Sequence, residues 1–211
     1  MRFLQILVTS LLVALSPLAV AAEFQAGADY TVVSPPQQVD VAKGKIEIIE
    51  FFWYGCPHCY HLEPALNKWR KTLPADVVFR RVPAVFSPRW ALGAKTYFAL
   101  EAVGQVDRLH GELFDAFQGG KIGGDNDLFD WVAKNGVDRQ KFADAFASFS
   151  TQSKVTRAQQ TVPAYGINGV PAMAIGGKYV TSPAQTGGEG KFFAVVDSLI
   201  AKIRAEQGGK K

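Results

Sequence analysis

Cys56 and Cys59 are the two cysteines in a chain of 211 residues, and Pro57 and His58 lie between them. Cysteines three apart on a helix share a face with roughly 5 Å between Cα atoms, which is within disulfide range. Pro57 suits the first helical position, so Cys56 falls at or beside the N-cap. The unpaired N–H groups and the helix dipole then point at its sulfur and favour thiolate over thiol. His58 adds to this if it is protonated or turns an N–H toward Cys56. Each unit of pKa depression favours the thiolate by about 1.4 kcal/mol. Cys59, one turn on, falls on the apolar stripe of the helix. The spacing therefore predicts an exposed, reactive Cys56 and a buried, resolving Cys59. A stabilised thiolate makes a disulfide easy to give away, so the pair reads as an oxidant.

Three blander readings compete. A stapling disulfide closing a four-residue loop would contribute only roughly 1.9 kcal/mol, a poor choice for a sole staple. A zinc site would need four ligands from Cys56, Cys59, His58 and His61, yet His61 lies about 140° round the helix from Cys56. Haem attachment needs histidine directly after the second cysteine, and position 60 is tyrosine. No metal and no dissociable cofactor are expected.

The elements that must hold the pair are readable from pattern. Lys45–Tyr54 is dense in β-branched and aromatic residues and predicts a mostly buried strand, ended by Gly55. A helix is expected over Pro57–Thr72, with Cys59, Leu62, Leu66, Trp69 and Leu73 as its stripe and a kink at Pro64. Further strands are expected at Tyr30–Val33, Val77–Val82, Ala172–Ile175 and Lys178–Thr181, the last two as a hairpin around Gly176-Gly177. Between them, Ser87–Tyr165 is helical in pattern, with pieces at Trp90–Ala102, Val106–Phe117, Leu128–Lys134, Arg139–Phe149 and Ser153–Tyr165. Asp125, Asn126 and Asp127 are cap candidates within that block. Lys191–Glu206 predicts a closing amphipathic helix. A long helical block set into a small α/β core reads as an insertion.

The chain begins with one basic residue, Arg2, then an uncharged and strongly apolar stretch, Pro17, and the small residues Ala19-Val20-Ala21-Ala22. This is the layout of a cleavable signal peptide over 1–22, in preference to a permanent anchor. Export would place the protein where disulfides persist. Hydrophobic residues make up 48% and 23 Lys+Arg stand against 19 Asp+Glu, a globular composition that excludes disorder. No run of Lys or Arg exceeds two residues, so no nucleic-acid partner is expected.

Glu50-Phe51-Phe52 leading to Cys56-Pro57-His58-Cys59-Tyr60, with Gly169-Val170-Pro171-Ala172-Met173 much later, resembles the DsbA family of periplasmic thiol:disulfide interchange proteins. The resemblance spans essentially the whole mature chain. It implies a thioredoxin-like α/β fold, formed by 23–86 and 166–211, with an inserted all-helical domain over 87–165. It makes Val170 and Pro171 the cis-proline loop, where substrate backbone pairs beside Cys56. It makes Glu50 the buried acid beneath the site, a proton acceptor for Cys59, although the strand pattern alone also allows a solvent-facing Glu50. Glu63 is a weaker candidate for that role or a solvated helix residue. Trp53 and Tyr54 are either the lip of a substrate groove or core.

The implied activity is a monomeric oxidase acting in the periplasm on reduced, unfolded exported proteins and reoxidised by a membrane quinone reductase of the DsbB type. A reductase or isomerase on the same fold is the nearest rival; family isomerases carry a dimerisation region for which Ala22–Val41 leaves no room. A non-catalytic peptide- or metal-binding module is the rival from another class.

Overall fold

A computed structural model describes residues 24–209. The expected signal peptide over 1–22 lies outside the described residues.

The first strand is β1 (Thr31–Val32) and the central one is β2 (Ile46–Phe52), whose seven residues are all buried. A strand covered on both faces favours a run of apolar residues, and here the run is interrupted by two buried acids, Glu47 and Glu50. Helix α1 (Pro57–Arg70) follows, and then β3 (Val77–Pro83). After a short 3-10 turn come α2 (Ala91–Ala102), α3 (Val106–Gln118), α4 (Asp125–Lys134), α5 (Arg139–Ala147) and α6 (Phe149–Ala164). Strands β4 (Ala172–Ile175) and β5 (Tyr179–Thr181), the short helix α7 (Pro183–Thr186) and α8 (Glu189–Gly208) complete the fold.

The sheet order is β1-β5-β4-β2-β3, with β2 parallel to β3 and antiparallel to β4. Alternation along β2 sorts its side chains to two faces. Ile46 and Ile48 pack with Leu62, Leu66 and Trp69 of α1 and with Phe192, Val195 and Leu199 of α8. Ile49 and Phe51 join the larger cluster that runs into the helical block through Phe98, Leu109, Leu113 and Phe114. The cysteine helix is therefore anchored on one side by the sheet and closed on the other by the helices between β3 and β4.

Some local expectations change. Gly124, not an aspartate, precedes the first turn of α4. Asp125 lies inside the helix, and Asp127 instead accepts the Gly123 N–H at 3.0 Å. The chain switches from α5 to α6 at Ser148, not past it, because the Ser148 hydroxyl accepts the Thr151 N–H at 3.1 Å and starts the second helix there. Helix α7 was not anticipated; Ser182 caps it and Pro183 opens it, a two-residue start signal. Helix α1 continues through Pro64, its face secured by Leu62, Leu66 and Trp69.

Candidate active site

Cys56 has extended backbone and is the N-cap of α1, with Pro57 in its first turn. Its sulfur accepts the Cys59 N–H at 3.4 Å, and its thiol donates to the Val170 carbonyl oxygen at 3.5 Å. Both cysteines are free thiols here. A hydrogen bond from the Cys59 thiol is the largest influence on Cys56. Backbone N–H groups of Cys59 and His58 and the His58 charge add to it, and together they outweigh desolvation and bring Cys56 down to about 6. Burial pushes Cys59 far the other way, reinforced by the Cys56 sulfur and the Glu50 carboxylate. The expected division of labour takes this form, with one correction. Cys56 is not openly exposed: 7% of it is accessible against none of Cys59, because the Val170–Pro171 loop lies across it. The small accessible part of Cys56, beside none for Cys59, leaves it the one cysteine of the pair that a substrate can reach.

The Val170–Pro171 peptide is cis. Its strand, β4, pairs with β2 in the register Phe51↔Ala172, and this brings the loop to the N-terminus of α1. Beside it opens a groove of about 910 Å³, bordered by His58, His61 and Leu62 on one side and by Ile167, Val170 and Val33 on the other. His58 is exposed at its border, and Pro57 beside it is exposed as well.

Neither Trp53 nor Tyr54 lines this groove. Tyr54 is fully buried. Trp53 is half-buried and stacks on Trp90 with centroids 4.1 Å apart and planes 7° from parallel. Phe86, 43% exposed, meets Trp90 edge-on and extends this aromatic stack. Gly55 is required here, since a side chain would run into the Trp53 ring.

Beneath the cysteines lies a buried ionic network. Glu50 is 1% exposed, so it is not a solvent-facing strand residue. Parallel pairing sets Arg81 beside it in the register, and Arg81 Nε donates to Glu50 Oε2 at 2.8 Å. Arg81 Nη2 donates to both oxygens of Glu63 at 3.2 Å. Glu63 is thus buried, not solvated, and also accepts from Asn67 Nδ2 at 2.9 Å. His110 of α3 lies 3.3 Å from Glu63 through Nε2, and its Nδ1 lies 2.7 Å from the Tyr54 hydroxyl. Burial raises Glu50 to about 7, the nearby Glu63 charge adds to the rise, and Arg81 opposes it. For Glu63, burial is outweighed by the His110 hydrogen bond and the Arg81 charge, so it stays below the usual range. Burial also lowers His110 to about 4, which keeps it neutral.

Arg81 and His110 were not anticipated, nor was the bond between the Tyr54 hydroxyl and His110. Two arginines inside a β-branched strand were the visible signal for Arg81. Nothing in α3 marks His110, which fills an apolar helix position.

The chain has close relatives in sequence and in fold. The DSBA-like thioredoxin domain matches over residues 81–189, which include the Val170–Pro171 loop. The thiol:disulfide interchange protein DsbA of Azotobacter vinelandii is 40% identical over 189 residues, covering 88% of this chain and 87% of that protein. The chain belongs to the DsbA family. The crystal structure of Pseudomonas aeruginosa DsbA superposes with TM-score 0.83 at 37% identity, covering 89% of this chain and 97% of that one. DsbA from Xylella fastidiosa superposes with TM-score 0.80 at 27% identity, over 86% and 98% of the two chains. As a DsbA, the protein is a thiol:disulfide oxidoreductase with a thioredoxin-like fold and inserted helices. Among the described residues no helix is long and apolar enough to cross a membrane.

Proposed function

We propose that the protein oxidises reduced, newly exported proteins in the periplasm by passing them the Cys56–Cys59 disulfide. The observation that carries this is the asymmetry of the pair: a sulfur at a helix N-cap brought down to about 6, and a fully buried partner pushed up. That pattern stabilises the dithiol form and makes the disulfide strongly donating.

A substrate thiolate attacks the Cys56 sulfur. The Cys56–Cys59 bond breaks, a substrate–Cys56 bond forms, and Cys59 departs with the electron pair. A buried thiolate is costly, so Cys59 takes the proton from Glu50. The second substrate thiolate then attacks the substrate sulfur of the mixed disulfide. Cys56 leaves as a thiolate held by the helix end and needs no proton. The substrate has lost two electrons and the pair has gained them. A DsbB-type membrane quinone reductase withdraws those electrons, and Cys59 returns its proton to Glu50. Val170 and Pro171, at the rim of the groove, offer backbone beside which an extended substrate segment can lie. His58 stabilises the Cys56 thiolate. We assign 1–22 to a cleaved signal peptide, 23–86 and 166–211 to the thioredoxin-like domain and 87–165 to the helical insertion, in a monomer with no nucleic-acid partner.

Equilibration with glutathione tests the direction of transfer. The pair is expected to be fully reduced in a mildly reducing buffer; a pair that stays oxidised there sinks the oxidase reading in favour of a reductase. Cys59→Ser is expected to accumulate mixed disulfides with a reduced test protein, seen as a mass increase reversed by dithiothreitol. Absence of such adducts would mean that Cys56 is not the entry point.

The thiolate absorbance of the reduced protein is expected to titrate with a midpoint near pH 6. The Cys56 pKa is depressed, so thiolate is present above that pH and lost as pH falls through it. His58→Pro removes a backbone N–H and the imidazole together and is expected to raise the midpoint by about one unit, or about 1.4 kcal/mol. An unchanged midpoint would leave the Cys59 contacts and the helix end as sole causes.

A further inference from the structure

The network under the cysteines holds one cation, Arg81, between two carboxylates. The nearest further cation, Arg70, is half-buried and lies over the Phe79 ring with its guanidinium carbon 4.5 Å from the centroid. It makes no hydrogen bond to either acid and bonds Asn67 instead. Two ionised acids around one guanidinium would leave a net negative charge in a low-dielectric site, so the pair holds one proton readily. Where that proton sits decides whether it can serve Cys59.

Hydrogen-bond counting locates it. Glu63 receives both oxygens' contacts from Arg81, one from Asn67 and one from His110. Glu50 receives one, at Oε2, and its buried Oε1 has no partner. The His110 tautomer is fixed by the same logic. An ionised carboxylate only accepts, so Nε2 must carry the hydrogen facing Glu63. Nδ1 is then a bare acceptor, and the Tyr54 hydroxyl donates to it. Edge-on rings of Phe52, Tyr97 and Phe114 enclose the imidazole and supply no competing partner.

We infer that His110 is a positioning residue for proton exchange at Cys59: by donating Nε2–H to Glu63 it holds that carboxylate ionised and leaves the shared proton on Glu50. Tyr54 locks the tautomer that makes this possible. The helices between β3 and β4 thereby set the proton inventory of a site built on the sheet. The inference rests on Glu50 as the proton group of the reaction. Its unpartnered Oε1 is the oxygen that gives the proton to departing Cys59 and takes it back on reoxidation.

The test is an infrared titration of the carbonyl band of a protonated, buried carboxyl group, assigned by its loss in Glu50→Gln. The wild-type band is expected to disappear with a midpoint near pH 7. In His110→Phe the proton moves to Glu63, and the Glu50 midpoint is expected to fall by about one pH unit, a tenfold change in ionisation at fixed pH. The rate of disulfide donation per oxidised molecule should shift its pH profile in the same direction. Tyr54→Phe, which removes one hydroxyl and keeps the ring, should shift both by a smaller amount and carries the test if His110→Phe does not fold. Adding His110→Phe to Glu63→Gln should produce no further shift. Unchanged midpoints in both His110→Phe and Tyr54→Phe, or a full additional shift in the Glu63→Gln background, overturn the inference and leave the Glu50 reading standing. A band that survives Glu50→Gln overturns both.

Discussion

Replacing Cys56 by serine abolishes catalysed oxidation of a reduced test protein, lowering the rate by at least about 10⁴-fold to the uncatalysed level. The hydroxyl is nearly isosteric and can still cap α1 by accepting the Cys59 N–H, so folding is preserved. What is lost is the cysteine of the pair that is both partly accessible and stabilised as a thiolate. Oxygen cannot form the exchangeable bond. The measurement is the appearance of native disulfides in the test protein beside an unfolding curve of the variant. A binding module would keep its function through this change, so retained oxidation by a folded Cys56→Ser protein would refute the redox role outright.

Replacing Arg81 by methionine has the largest expected effect on stability, about 3–5 kcal/mol, because it strands two buried carboxylates. Arg81 supplies Glu50 with its one hydrogen bond and bridges it to Glu63. The cost should depend on pH with a definite sign. Without the guanidinium both acids are raised above their unfolded values, so the native state holds more protons than the unfolded state from about pH 4.5 upward, and stability falls as pH rises through that window. Urea unfolding at pH 8 should therefore show most of the loss and at pH 4 much less. A penalty that is flat with pH would mean that lost packing, not stranded charge, is responsible. Replacing Glu50 and Glu63 by apolar residues in the same variant should restore much of the stability.

The legible parts of this protein were those whose physics is local. A proline after a cysteine, a histidine beside it and a second cysteine one turn on state a helix terminus and a reactive sulfur with no tertiary information. β2 was legible from its density of β-branched and aromatic residues, but that pattern left Glu50 open between solvent and core, and only the family resemblance marked it as the buried acid. Its partner was not: Arg80 and Arg81 are adjacent, and only the register decides that Arg81 turns in to Glu50 while Arg80 bonds Glu47 at 2.7 Å. His110 was hidden for the same reason. It comes from a helix 47 positions beyond Glu63, and in α3 it reads as one more apolar-face residue. The covering of Cys56 also escaped, because the loop that shields it arrives from the far end of the chain.

That distance has a kinetic meaning. Cys56 and the carbonyl that covers it are 114 positions apart, with the whole helical block between them. A chain that emerges N-terminus first shows both thiols long before β4 exists to pair with β2. Reliance on contacts of such high sequence separation slows folding, because a long loop must close first. Through that interval Cys56 has no loop over it. The local helix end that activates the sulfur and the distant loop that covers it are thus separate parts of the fold, and only the completed chain has both.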